Sequence, residues 1–282
     1  MASVENFAGE EWRGRVGGTW AAEWVRTDRS FGQLTAKLVD ALASALSPAG
    51  GASQRRVLDI GCGAGQTALR LADENPALHV TGLDLSDELI AVARKRGEGV
   101  ANLVFQSGDA GFWQGDAPFD AALSRHGVMF FDDPVAAFSH LHGLMAPGAP
   151  FAFTCFADRA DNLWASGLAE LLDTPPPVDP YAPGPFAFAD ADRVHEILRV
   201  SGWMNAKPER VDYHYVPGGG EDPAADAFDF FMRIGPAARH LATLDAGARA
   251  AIAPRLRSWL DRHIEDGEVR FPAAAWLWHA TA

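Results

Sequence analysis

Cysteine is scarce in this chain: its 282 residues hold two, Cys62 and Cys155. Two thiols cannot build the disulfide framework on which small secreted folds depend. Cys62 falls in a glycine loop and Cys155 in a segment read as buried sheet edge, so a cytoplasmic, reducing compartment is expected. Positive charge is also short, with 24 Lys and Arg against 37 Asp and Glu and a formal net charge of -13. Neutralising phosphates takes clustered cations, so no nucleic-acid partner is expected. No apolar run approaches the roughly 18 residues that span a bilayer, which argues against a membrane partner. Met1–Gly18 lacks the basic start and apolar stretch of a signal peptide. Low-complexity tracts and internal repeats are absent too. The remaining picture, 48% hydrophobic and 22% charged, is that of a chain able to bury a sizeable core. The expected partner is a small molecule, and self-association into a homodimer is compatible with everything above.

Between Arg56 and Phe156 short apolar runs alternate with helical patterns, the rhythm of parallel strands joined by crossover helices. Strands are expected at Arg56–Ile60, His79–Leu85, Leu103–Gln106, Phe119–Ser124 and Phe151–Phe156, then at Val211–Tyr215 and Val269–His279. Helices are expected from Gln66 to about Asp73, from Ser86 as N-cap to Arg96, and from Pro134 to before Pro147. Others are expected near Asp192–Ser201, closed by Gly202, and over Asp226–Arg233 and Pro236–Thr243. The fold class is therefore α/β: a seven-stranded, mostly parallel Rossmann-like sheet with helices on both faces. N-terminal helices precede it, and a helical lid or insertion lies near the C-terminus. One domain is expected over 1–282, divided into an N-terminal helical cap (1–55), a cofactor-binding core (56–156) and an acceptor-recognition and lid region (157–282). The segment Ala157–Ala189, rich in Pro, Asp and Gly, is long enough to be read as a lid.

The strongest chemical signal is Asp59-Ile60-Gly61-Cys62-Gly63-Ala64-Gly65, directly after a buried strand and directly before a helix. Glycines there let a ligand approach the backbone, and the helix N-terminus offers unpaired N–H donors. Asp84, some twenty residues on at the end of the next strand, is placed to accept hydrogen bonds from two vicinal ribose hydroxyls. NAD and S-adenosylmethionine share these features. The dinucleotide pattern G-x-G-x-x-G requires glycine at position 66, where this chain has Gln66. Asp59 would repel a pyrophosphate and suit the cationic amino group of a methionine moiety.

At these residues the sequence resembles the class I S-adenosylmethionine-dependent methyltransferases, over roughly Arg56–Phe156. Val57–Ala68 (VLDIGCGAGQTA) is similar to the family's first motif, Asp84-Leu85 to its second-strand acid and neighbour, and Asp109-Ala110 to its adenine motif. Arg125-His126-Gly127-Val128-Met129-Phe130-Phe131 resembles a subgroup acting on small molecules. The resemblance implies a cofactor site made of Asp59, Gly61, Cys62, Gly63, Gln66, Thr67, Asp84, Leu85, Asp109, Ala110, Ser124 and Arg125. It also implies S-adenosyl-L-methionine as cofactor and S-adenosyl-L-homocysteine as product. Trp20 and Trp24, at helical spacing, look like the subgroup's N-terminal aromatic pair, with Trp24 toward the cofactor.

Methyl transfer needs alignment and exclusion of water rather than a metal. No metal site is expected, and His140 and His142, two apart on a helix, point to different faces. His126, following the fourth strand, is the candidate base for an acceptor that must lose a proton. Trp164, Phe186 and Phe188 are expected either to wall a partly apolar acceptor pocket or to close the core. The readings left open are a methyltransferase, a non-catalytic S-adenosylmethionine-binding module, and a nicotinamide-dependent oxidoreductase.

Overall fold

The computed structural model describes residues 7–46, 55–115, 118–175, 177–242 and 244–282. Four helices come first: α1 (Phe7–Arg13), α2 (Arg15–Ala22), α3 (Trp24–Ser30) and α4 (Gly32–Leu46). The alternating core follows as β1 (Arg55–Ile60), α5 (Gln66–Glu74), β2 (Leu78–Asp84), α6 (Asp87–Arg96), β3 (Leu103–Ser107), β4 (Ala121–Arg125), α7 (Pro134–Gly143) and β5 (Pro150–Phe156). Then come α8 (Leu163–Leu171), α9 (Ala191–Val200), β6 (Met204–Gly218), α10 (Pro223–Arg233), α11 (Gly235–Ala242), α12 (Ala246–Asp261), β7 (Ile264–Glu265) and β8 (Glu268–Thr281).

The sheet runs β3-β2-β1-β4-β5-β8-β6, with the short β7 paired to β8 as a hairpin beside this path. Strands β1 to β5 are parallel, and β8 is antiparallel to both β5 and β6. Chain order reverses direction between β1 and β4, so the crevice beyond their C-terminal ends is where an open α/β sheet receives a ligand. Helices α4 and α5 pack together, as do α7 and α9; right-handed crossovers on either side of the reversal put these pairs on opposite faces.

Local chemistry explains the boundaries. Ser86 caps α6 by accepting from the Leu89 N–H at 3.3 Å, and Asp133 caps α7 ahead of Pro134 by accepting from Ala136. Gly202 follows α9 at φ +94°, in the left-handed region that ends a helix.

Three features depart from the expectations. The segment 157–189 is not one connection, because it contains α8, whose Trp164, Ala165 and Leu168 are buried. The strand expected at Val211–Tyr215 extends over Met204–Gly218, where it forms an edge paired on one side only, and edge pairing tolerates its polar outer half and Pro208. Cys155 lies on β5, an interior strand rather than an edge.

The core is one continuous cluster on both faces of the sheet. A small satellite of Ala21, Ala64 and Leu89, bordered by Trp12, Trp20, Trp24 and Val92, sits where α1–α3 meet the glycine loop and α6. Among the described residues no helix is long and apolar enough to cross a membrane.

Candidate active site

At the end of β1 the chain turns through Gly61, Gly63 and Gly65, all at positive φ (+65°, +56° and +86°). Two of these positions require glycine for different reasons. A Cβ on Gly61 would stand 2.8 Å from the Gly127 Cα, because the exits of β1 and β4 touch there. A Cβ on Gly63 would meet nothing within 4 Å, so the loop presents bare backbone to open space. That space is a cavity of about 690 Å³, within the range of small-molecule sites.

Asp84 is oriented at the cavity by two backbone donors. Its Oδ2 accepts from the Gly63 N–H at 2.8 Å and its Oδ1 from the Ser86 N–H at 2.9 Å. Each carboxylate oxygen keeps a further lone pair, the geometry needed for two adjacent hydroxyls. Beside it, Leu85, Asp109 and Ala110 continue the wall, with Phe112 and Phe130. The Asp109 Oδ1 accepts from the Gly111 N–H at 3.0 Å, which fixes the turn after β3.

Asp59 lies one layer below. It is buried, and neither of its oxygens has a hydrogen-bond partner. Burial pushes its pKa up to about 7, against the pull of the nearby Arg125 guanidinium and with the Asp84 charge adding to the rise. Arg125 is itself buried; it donates to Thr35 Oγ1 at 2.7 Å and to Gln66 Oε1, and Gln66 in turn donates to the Asp28 carbonyl at 3.0 Å. Ser124 donates to the Ile60 carbonyl at 2.7 Å and accepts from Gly127, tying the β4 exit to the β1 exit.

His126 lines the cavity at φ +60°, a left-handed conformation uncommon for a residue with a side chain. Its Nδ1 shares a hydrogen bond with Thr154 Oγ1 at 3.3 Å, while Nε2 is buried without a partner. The ring is flanked by Phe156 at 4.2 Å and by the edge-on Phe31 at 5.0 Å. Burial among these rings, with Arg125 adjacent, pushes its pKa down to about 3.

The roof is built from the N-terminal helices. Trp12 packs on Trp20 and Phe130 with centroids 5.7 and 5.1 Å apart, and Trp24 is covered by the Arg96 guanidinium at 4.0 Å. Arg96 also donates to the Ala64 carbonyl and to Asp28, both at 2.6 Å, so one side chain joins α6, the glycine loop and α3. On the other side buried Glu23 accepts from Arg26 and Arg233, and Asp226 accepts from Arg26 and Arg29, which clamps α3 to α10.

Of the expected residues, Gly61, Cys62, Gly63, Thr67, Asp84, Leu85, Asp109, Ala110, Arg125, His126 and Trp24 line this one cavity. Asp59, Gln66 and Ser124 do not form its wall; Gln66 and Ser124 stand behind it with their hydrogen bonds satisfied inside the protein. Trp164 reaches the cavity, whereas Phe188 closes the core and Phe186 stacks behind Trp164. Trp12, Phe31, Phe156, Tyr215 and Phe231 also line it and carry no motif of their own. Trp12, eight positions before Trp20, is the one with a helical-spacing signal. His140 donates through Nε2 to the Trp113 carbonyl at 2.8 Å and His142 packs on Trp203. Among the described residues no group of three His, Cys, Asp or Glu is placed to hold a metal.

A switch-point cavity bounded by a glycine loop, an oriented strand-end carboxylate and a hydrophobic-acidic turn defines a nucleoside-binding α/β protein. Comparison bears on the family: residues 57–148 match the methyltransferase domain family. The chain is 32% identical to a malonyl-[acyl-carrier protein] O-methyltransferase of a Paenibacillus species, over 38% of this chain and 41% of that protein. It is 26% identical to the demethylmenaquinone methyltransferase of Deinococcus radiodurans, over 54% and 68%. The match spans less than half the length of the first two curated relatives. Among solved structures, phosphoethanolamine N-methyltransferase 2 of Haemonchus contortus, in complex with phosphomonomethylethanolamine and S-adenosylhomocysteine, superposes with a TM-score of 0.56 at 20% identity. That superposition covers 100% of this chain and 61% of the other. The YcgJ protein of Bacillus subtilis gives 0.54 at 19% identity, over 86% and 97%. At such identities the likeness is one of fold.

Proposed function

We propose that this chain binds S-adenosylmethionine in the switch-point cavity and transfers its methyl group to a small molecule. The observation that carries the reading is Asp84, held by the Gly63 and Ser86 N–H groups with its free lone pairs available for a ribose. The residues fit the cofactor at two further points. Gly63 leaves bare backbone facing open space, and Asp59 is a buried carboxylate with no hydrogen-bond partner, suited to an α-amino group reached directly or through water. When bound, the cofactor would supply an activated methyl group to the acceptor, whose proton would leave to water.

The chain's own contribution is position and dryness. Leu85, Asp109 and Ala110 hold the base end, Trp24 and its neighbours exclude water from above, and Arg125, Gln66 and Ser124 brace the loop from behind. His126 is neutral at physiological pH, so it serves as a hydrogen-bond acceptor that orients a donor group rather than as a store of protons. The acidic balance and the two unpaired thiols support a cytoplasmic enzyme without a nucleic-acid partner. The chain divides into a helical cap (1–55), the cofactor core (56–156) and an acceptor region (157–282) that returns to the same sheet as β6 and β8.

Transfer of label from methyl-labelled S-adenosylmethionine tests the catalytic reading against a merely binding one. His126→Ala is expected to leave S-adenosylhomocysteine affinity within about twofold and to lower turnover at least about tenfold, the size of one lost hydrogen bond in the reacting geometry. Unchanged turnover removes His126 from the reaction.

A further inference from the structure

The cavity has two chemically different halves. Among the described residues the carboxylates in its wall, Asp28, Asp84, Asp109, Asp132 and Asp133, lie toward α3, β2, β3 and α7. The opposite half, between the β5 exit, α8, β6 and α10, is walled by rings: Phe31, Phe156, Trp164, Tyr215 and Phe231. Trp164 and Tyr215 are stacked at 4.8 Å, Phe156 stands 5.1 Å from Trp164, and Phe31 is edge-on to Tyr215 at 5.4 Å. Faces and edges of rings in this arrangement favour a flat aromatic guest. Among the described residues the cation in the wall is Arg125, which is buried, donates through Nη1 to Thr35 and Gln66, and has its charge offset chiefly by Asp28. A phosphate or carboxylate entering the aromatic half would lose its water and meet, against Phe31, a buried guanidinium whose charge Asp28 already offsets, which disfavours it. An ammonium group would find rings but no free carboxylate in that half. The polar group that remains is the His126 imidazole, whose Nε2 has no partner, because the Tyr215 hydroxyl is engaged with Ser30.

Resting on the methyl-transfer reading, we infer that the acceptor is an uncharged, flat aromatic molecule carrying a ring hydroxyl, held by Trp164, Tyr215 and Phe231 with the hydroxyl toward His126. Its oxygen forms the bond to the methyl carbon, the carbon–sulfur pair stays on sulfur, and the hydroxyl proton passes to water. The product is an aryl methyl ether. Selection against anions sets this site apart from that of an enzyme whose acceptor carries a phosphate, as in the Haemonchus contortus complex.

The test is calorimetry on the full chain saturated with S-adenosylhomocysteine, titrated with 2-naphthol, 2-naphthyl phosphate and 2-naphthylmethylammonium. Binding of S-adenosylhomocysteine itself is measured first, so failure of the cofactor reading registers separately. The naphthol is expected to bind at least about tenfold more tightly than either charged analogue. Trp164→Ala is expected to weaken naphthol at least about fivefold while S-adenosylhomocysteine still binds. Phe231→Leu, a milder change, provides the same comparison if Trp164→Ala does not fold. Tighter binding of the phosphate or of the ammonium, no binding of the naphthol to the S-adenosylhomocysteine complex, or indifference to the ring substitutions would each overturn the inference.

Discussion

Asp59 is an acid held where water does not reach it, and its consequences are measurable in the ligand-free protein. With a folded pKa of about 7, well above the ordinary carboxyl range, the unfolded chain releases this proton first. The stability contribution of the group is therefore fully present below the unfolded value and is lost as pH rises toward 7. Asp59→Asn removes the penalty. The difference in melting temperature between variant and parent is expected to favour the variant at pH 8 and to vanish near pH 4, while S-adenosylhomocysteine affinity falls. A variant less stable than the parent at pH 8 would show that the carboxylate has a partner when ionised. Gly63 separates folding from binding in another way. An alanine there pays roughly 1–2 kcal/mol for the left-handed backbone but clashes with nothing in the protein. Gly63→Ala is expected to melt only slightly earlier and to bind S-adenosylhomocysteine far more weakly. Gly61→Ala, which would drive a Cβ against Gly127, is expected to lose both.

At the level of elements, α2 rests on α6 through Gly17, where a Cβ would come within 2.2 Å of Ser86 Oγ and 2.3 Å of the Trp12 carbonyl. Gly17→Val should lift the N-terminal roof. Amide hydrogen exchange is expected to rise across α1–α3 and at the α6 N-terminus while β1, β4 and β5 remain protected; uniform protection would deny that the roof is a separate contact. This docking also marks where legibility in the sequence ended. The glycine loop, the Ser86 cap, Pro134 opening α7 and Gly202 closing α9 depend on neighbours a few residues apart, and each is visible as a local pattern. The clamp of Arg26 and Arg29 on Asp226 joins positions about two hundred residues apart and has no local mark. Helix α8 was hidden because Leu163, Trp164, Leu168 and Leu171 carry helical spacing inside a stretch whose Pro, Asp and Gly content reads as loop. The outer half of β6 was hidden because Lys207, Pro208, Glu209 and Arg210 are polar, as a one-sided edge strand allows. At the site, the glycine-loop half was legible from motif spacing; in the ring-lined half Trp164 was marked as a wall candidate, whereas Phe31 at the α3–α4 junction, Phe156 on β5, Tyr215 on β6 and Phe231 on α10 look in sequence like ordinary core residues.

For the molecule as a whole, the sheet adds β8 and then β6, from the last third of the chain, beyond β5, so the glycine loop and the ring-lined half of the cavity are built on one sheet. Binding at that junction should stabilise the entire fold, by about 2.7 kcal/mol when ligand stands at a hundred times its dissociation constant. The most direct measurement is calorimetric titration of the full chain, and of Asp84→Ala, with S-adenosylhomocysteine and separately with NAD. The expected result is one S-adenosylhomocysteine bound per chain, no heat from NAD, and binding abolished in Asp84→Ala while the variant remains folded. Heat from NAD alone, or S-adenosylhomocysteine binding indifferent to the loss of Asp84, would contradict the assignment of the cavity.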